Sequence, residues 1–175
     1  MKFFVILILF ATMDTVIFNF SNESDISNWR VVNDTVMGGV SNADFKLNDA
    51  GNGEFTGHVS LENNGGFSSV QYAFSALSVS PEDEIVLRLK GDGKTYQFRV
   101  KDRTATRHSY ISEFTTTGAW QTLRIPLKNM YPQFRGQRLR RPNFDKDQIE
   151  QITFLIGNGK EQDFKLLIES IAIAD

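Results

Sequence analysis

The chain has no cysteine, which excludes disulfide frameworks, thiolate zinc sites, iron–sulfur clusters and cysteine nucleophiles together. Histidine is almost as scarce: His58 and His108 are the only two, too few for a histidine-rich metal cage. Neither charge dominates. Nineteen Lys and Arg stand against 21 Asp and Glu, a formal net charge of −2, so the whole-molecule electrostatic footprint of a nucleic-acid binder is missing. No apolar run approaches the ~20 residues of a membrane-spanning helix, so no integral membrane span is expected. What remains is a 175-residue chain, 41% hydrophobic, long enough for one domain to bury a core without a covalent or metal staple.

The longest apolar stretch, Phe3–Ala11, follows Lys2 and precedes the first acid, Asp14. That arrangement fits a secretory signal and predicts export to a periplasm or the extracellular space, although no A-x-A-like cleavage site follows. The alternatives are an added apolar strand on the domain and residence in the cytoplasm or mitochondrial matrix. Residues 1–13 are set apart as the signal-like segment and 14–175 as the domain. The Asn-x-Ser/Thr sequons at Asn19, Asn22 and Asn33 are compatible with export, but chance explains them in a chain rich in these residues.

Period-two alternation runs through the domain. Val16/Phe18/Phe20, Phe55/Val59/Leu61 and Val70/Tyr72/Phe74 each put apolar residues on one face of a strand. Further runs at Tyr110–Thr115, Gln121–Ile125, Gln151–Ile156 and Phe164–Ala172 bring the expectation to eight to ten strands. Asp145–Gln151 reads as a helical turn with Asp145 as its N-cap. The segment from Ile85 to Lys101 reads as a hairpin closed by Asp92-Gly93, the strongest short-range hairpin signal. In that register Leu87, Leu89, Tyr96, Phe98 and Val100 share the core face. Arg88, Lys90, Gln97, Arg99 and Lys101 share the other. Strands at this spacing predict an all-β sandwich with at most one or two helical turns.

Three segments carry a family resemblance: Trp29-Arg-Val-Val-Asn-Asp34-Thr-Val-Met-Gly-Gly-Val-Ser41, Val59-Ser-Leu-Glu-Asn-Asn-Gly-Gly-Phe-Ser-Ser-Val70, and Lys90-Gly-Asp-Gly-Lys-Thr-Tyr-Gln-Phe-Arg99. With Trp120-Gln-Thr-Leu-Arg-Ile-Pro126 and Phe134-Arg-Gly136, their order and spacing resemble the complex I intermediate-associated 30 kDa protein family from about Ile17 to the C-terminus. The resemblance implies a single jelly-roll β-sandwich of the galactose-binding-like type. It also implies a role in NADH dehydrogenase assembly, a role that export would weaken. Many carbohydrate-binding modules use the same scaffold.

Four cations without an acid on the expected hairpin face are mildly unfavourable unless neighbouring strands supply acids. A plain solvated face is the ordinary reading of them, and a face for an anion, an acidic peptide or sugar hydroxyls is the alternative. The glycine clusters at 38–39 and 65–66 read as edge turns, or as loops on which Asp34, Asn63 and Asn64 offer hydrogen bonds. Arg135 opens a run of four arginines through Arg141, a surface loop or a dock for an acidic partner. Candidate ligand- or partner-binding residues are thus Asp34, Asn63, Asn64, Arg88, Lys90, Gln97, Arg99 and Arg135. No catalytic residue, metal ligand or cofactor is assigned. There is no G-x-S-x-G elbow, and Asp34 and Glu62 suit turn hydrogen bonds better than acid–base catalysis. A structural calcium would rest on fold analogy alone. Trp29 and Trp120 read as core or edge packing, with sugar stacking as the alternative. The expected function is a non-catalytic binding or assembly-type module for a protein or polar ligand, the alternative being an exported carbohydrate-binding module.

Overall fold

A computed structural model describes residues 14–175. The signal-like segment expected at residues 1–13 lies outside the described residues. Thirteen strands follow in order: β1 (Thr15–Asn19), β2 (Trp29–Asn33), β3 (Asn42–Leu47), β4 (Gly53–Val59), β5 (Ser68–Ser78), β6 (Glu84–Lys90) and β7 (Thr95–Lys101). Then come β8 (Ser109–Thr115), β9 (Trp120–Pro126), β10 (Tyr131–Phe134), β11 (Gln137–Arg138), β12 (Gln148–Ile156) and β13 (Gln162–Ala174). Among the described residues helical turns are short: 3-10 turns at Asp34–Met37 and Leu127–Asn129, and a third at Glu62–Asn64 that is broken by the left-handed Asn63.

The strands form two antiparallel sheets. The first has six strands, ordered β3-β4-β13-β6-β9, with β1 also pairing to β13. The second has seven, ordered β11-β10-β8-β7-β12-β5-β2. The sheets face each other through alternate apolar residues. Ile85, Leu87 and Leu89 of β6 and Leu166, Ile168 and Ile171 of β13 are fully buried, as are Phe98 of β7 and Phe154 of β12. Each such side chain contributes about 1.5–3 kcal/mol of apolar burial.

Two bulges let that alternation continue. In β13 the register slips between Ile168 and Ser170, so Ile168 and Ile171, three apart, both point inward. In β12 a slip between Ile149 and Gln151 does the same for Ile149 and Ile152. The second bulge corrects one sequence expectation. Residues 145–151 are not a helical turn; β12 begins at Gln148, and the three-residue apolar spacing belongs to a bulged strand.

A second correction concerns residues 85–101. β6 and β7 do not pair as a hairpin: β6 lies between β13 and β9, while β7 lies between β12 and β8 in the opposite sheet. The Gly91–Lys94 segment crosses from sheet to sheet. Asp92 holds the crossing, accepting from the Tyr96 hydroxyl at 3.0 Å, the Lys165 backbone N–H at 3.0 Å and Lys94 Nζ at 2.7 Å. Burial raises the Asp92 pKa, but these hydrogen bonds and the Lys94 charge outweigh it and hold the carboxyl below its ordinary value. Alternation does not distinguish a hairpin from two strands facing each other across a core, because both bury the same side chains.

Candidate functional site

The crossing at Asp92 divides the expected basic face between opposite sides of the sandwich. Arg88 and Lys90 lie on the outer face of the first sheet. There Arg88 Nε stands 3.5 Å from Glu169 Oε2 and its guanidinium lies 5.7 Å from the Trp120 ring centroid. Arg124 pairs with Glu84 at 3.0 Å and Lys165 with Glu54 at 2.7 Å on the same sheet. This face is an ordinary charge-balanced surface.

Gln97 and Arg99 lie on the outer face of the second sheet, with different neighbours. Arg99 donates through Nε to Gln97 Oε1 at 3.1 Å, and through Nη2 to the same oxygen and to Gln133 Oε1 at 3.3 Å. Gln97 Nε2 in turn donates to Glu113 Oε1 at 3.0 Å. Burial lowers the Arg99 pKa, opposed by Tyr131 and Glu113, and an arginine so placed keeps its charge. These side chains floor an open groove of about 610 Å³. Leu155 completes the floor; Met37, Gly66, Phe67 and Gly157 line one side, and Arg135 with Gly136 the other.

The Met37/Phe67 side is built on Asp34. This carboxylate is fully buried. Oδ1 accepts from the Ser41 N–H at 3.0 Å; Oδ2 accepts from the Ser41 hydroxyl, from the Gly66 N–H at 2.6 Å and from the Phe67 N–H at 3.3 Å. Burial raises its pKa, but the Ser41 hydroxyl and the three N–H donors outweigh that and hold it below the ordinary carboxylate value. The glycines permit this approach. A Cβ at Gly39 would lie 2.4 Å from Asp34 Cγ, and one at Gly65 would lie 2.6 Å from Oδ2. Asn63 and Asn64 sit exposed beside this knot at positive φ, 55° and 59°.

The opposite side is the β10–β11 hairpin. Phe134 pairs with Gln137, leaving Arg135 (φ 48°) and Gly136 (φ 77°) as a two-residue turn, the geometry of a type I′ hairpin. Arg135 and Arg107 both lie over the Phe134 ring, at 5.4 and 5.2 Å from its centroid, and Arg138 lies over Tyr131 at 4.7 Å.

The second sheet therefore brings together Gln97, Arg99 and Arg135, with the Asp34 knot and its asparagines on the facing loops, and separates all of them from Arg88 and Lys90. Asp34 spends its carboxylate within the fold. Met37, Phe67, Glu113, Gln133 and Leu155 were not singled out from sequence. Met37 and Phe67 were within reach, since both lie inside the glycine-containing motifs. Trp29 is core, stacked on Tyr72 at 5.0 Å, and His58 and His108 belong to different sheets, His58 in β4 and His108 just before β8. Among the described residues no group of three His, Asp or Glu is arranged to hold a metal ion, and no helix is long and apolar enough to cross a membrane.

Comparison with solved structures shows the same jelly-roll β-sandwich. The family 11 carbohydrate-binding module of the cellulosomal cellulase Lic26A-Cel5E of Clostridium thermocellum matches with a TM-score of 0.68 at 17% identity, covering 94% of this chain and 96% of that one. A family 11 module of the same organism, in complex with a β-1,3-1,4-mixed-linked tetrasaccharide, matches with a TM-score of 0.66 at 16% identity over the same shares. An exo-β-agarase matches with a TM-score of 0.58 at 12% identity, over 91% of this chain and 25% of the enzyme. At these identities the likeness concerns the fold alone. The family model for Complex I intermediate-associated protein 30 matches residues 18–168, and the chain belongs to that family.

Proposed function

We propose that the chain is a non-catalytic, assembly-type binding module that holds a segment of a protein partner in the groove on the outer face of the second sheet. One observation carries this reading. The groove sets the side-chain donors of Gln97, Arg99 and Gln133 around an apolar floor at Leu155, between two stiff walls: the loops tied at Asp34 and the tight turn at Arg135–Gly136. Fixed donors around an apolar floor suit recognition at little ordering cost. Family membership supports a protein partner connected with NADH:ubiquinone oxidoreductase assembly. The proposed contacts are Gln97, Arg99, Gln133 and Arg135, with Asn63 and Asn64 at the rim. Arg88 and Lys90 serve as comparison residues on the opposite face.

The test is affinity capture of NADH:ubiquinone oxidoreductase subunits from the native host, using the full chain. Q97A/R99Q is expected to lose capture while R88Q/K90Q keeps it, both with unchanged melting. Equal capture by the two variants would sink the assignment of the face.

A polar saccharide is the second reading. Its support is the row of amides on this face, where Gln151 Nε2 donates to Gln71 Oε1 at 3.1 Å beyond Gln97 and Gln133, and the tetrasaccharide bound by a module of the same fold. Signal above background on an array of plant, algal and bacterial polysaccharides, lost in R99Q, is the result that reading requires.

A further inference from the structure

The ten arginines of the chain are distributed unevenly between the two sheets. Among the described residues, those with a carboxylate oxygen within 4.0 Å are Arg88 and Arg124, and both lie on the first sheet. The others all belong to strands of the second sheet or to the loops leaving them. Four of these surround the groove and its hairpin wall. Arg99 lies in the floor and Arg135 on the wall; Arg107 shares the Phe134 ring with Arg135, and Arg138 covers Tyr131. Among the described residues Glu113 is the one carboxylate lining the groove, and it takes the Gln97 amide rather than a guanidinium. In a chain of net charge −2 this is a local cationic strip: Arg107, Arg135 and Arg138 lie over aromatic faces, Arg99 is held by glutamines, and Glu113 alone stands against the four positive charges.

We propose that the strip Arg99–Arg135–Arg107–Arg138 docks an acidic peptide segment of the partner, so that its carboxylates meet the guanidiniums while its apolar side chains rest on Met37 and Phe67. The inference rests on the groove reading above and specifies the chemistry of what enters. Planar guanidiniums match carboxylates in bidentate geometry, and a guanidinium stacked on a ring keeps its N–H edge free. A peptide fits better than an acidic glycan because of the facing wall. Val36 and Met37 are 71% and 63% exposed on the loop tied at Asp34, an apolar surface that suits Leu or Val side chains. Among the described residues Phe67 is the only aromatic one lining the groove, and they set no row of rings there for stacking successive sugars.

The experiment uses the full chain and a fluorescein-labelled peptide of Glu, Ser and Leu, measured by anisotropy beside the same peptide with every Glu replaced by Gln. The Glu peptide is expected to bind at least about tenfold more tightly, and its affinity should fall severalfold between about 50 and 300 mM NaCl. R107Q/R135Q/R138Q should lose about tenfold or more with its melting temperature preserved, while R88Q/K90Q binds as the wild type does. Equal binding of the two peptides would overturn the acidic assignment and leave the groove reading standing. Binding of polygalacturonate with no peptide binding would overturn it in favour of an acidic glycan. Binding of neither probe would overturn it as well, and subunit capture then tests the groove by itself.

Discussion

The Gly66 N–H donates to Asp34 Oδ2 at 2.6 Å across 32 positions of sequence, tying the two glycine-containing loops into one unit. Without the carboxylate, the Ser41 hydroxyl and N–H and the Gly66 and Phe67 N–H groups would lose a shared acceptor in a buried place. Each unsatisfied buried donor costs about 1–3 kcal/mol. Asp34→Ala is therefore expected to lose about 3 kcal/mol or more in urea unfolding, and Gly39→Ala to approach it, because its Cβ would displace the same carboxylate. A loss below about 1 kcal/mol in both variants would mean that the knot adds little to the fold.

Asp34 and Asp92 also define an acid limb. Both carboxyls are held below their ordinary value of 3.8, Asp34 by hydrogen bonds from Ser41, Gly66 and Phe67 that outweigh burial, and Asp92 by Lys94, Lys165 and Tyr96 that do the same. A carboxyl with a depressed native pKa stabilises the fold fully above its unfolded pKa and loses that contribution as pH falls toward the native one. Stability should thus be level above about pH 5 and fall below pH 4. The double variant Asp34→Asn/Asp92→Asn should show a shallower slope there, as measured by urea midpoints along a pH series. An unchanged slope would assign the acid limb to other carboxylates.

The parts legible in the sequence were those whose faces differ strongly. β4, β6 and β7 carry alternation between a buried and a wetter face, as does β13 up to its bulge, and they read as strands at once. The strands that escaped notice, β2, β3, β10 and β11, lie at or next to sheet edges and are short, so few positions carry the pattern. β12 misled at its start because a bulge gives Ile149 and Ile152 a helix-like spacing. The site was half legible. Gln97, Arg99 and Arg135 could be picked out as polar or cationic residues at outward or loop positions. Their separation from Arg88 and Lys90 could not, because it depends on which strands Asp92 sends to which sheet. Glu113 became a site residue only through β8 pairing with β7, and Gln133 only through β10 pairing with β8 after β9 has left for the other sheet.

Trp29 offers a check on the packing at the β2 edge. Its ring meets Phe18 edge-on at 5.4 Å, Phe45 at 5.0 Å and Tyr72 in a stack at 5.0 Å, joining both sheets near the chain's first described strand. Trp29→Ala should lose about 3–5 kcal/mol of stability. Trp29→Phe should lose less, since Nε1 is buried without a hydrogen-bond partner and the smaller ring removes that unsatisfied donor. Thermal unfolding of the two variants ranks them; a Phe variant as unstable as the Ala variant would show that ring volume governs the site.

Arg135 separates backbone strain from ligand contact. A non-glycine residue at φ 48° in a two-residue turn is strained by about 1 kcal/mol, which Gly relieves and Asn largely tolerates. The turn therefore does not require arginine, and its guanidinium is not ion-paired to a carboxylate among the described residues. Arg135→Gly should leave stability within about 0.5 kcal/mol or raise it, although the unfolded chain gains entropy. In the same variant, binding of the Glu-containing peptide should weaken severalfold. Gly136→Val is the complementary change. It puts a β-branched side chain at φ 77°, should destabilise the hairpin by about 1 kcal/mol or more, and leaves every arginine in the sequence. Melting temperature and peptide affinity measured on both variants should therefore move in opposite orders: Arg135→Gly keeps the fold and loses affinity, and Gly136→Val loses stability first. If Arg135→Gly binds the peptide as tightly as the parent chain, the residue is only a turn residue and the hairpin wall contributes shape without charge.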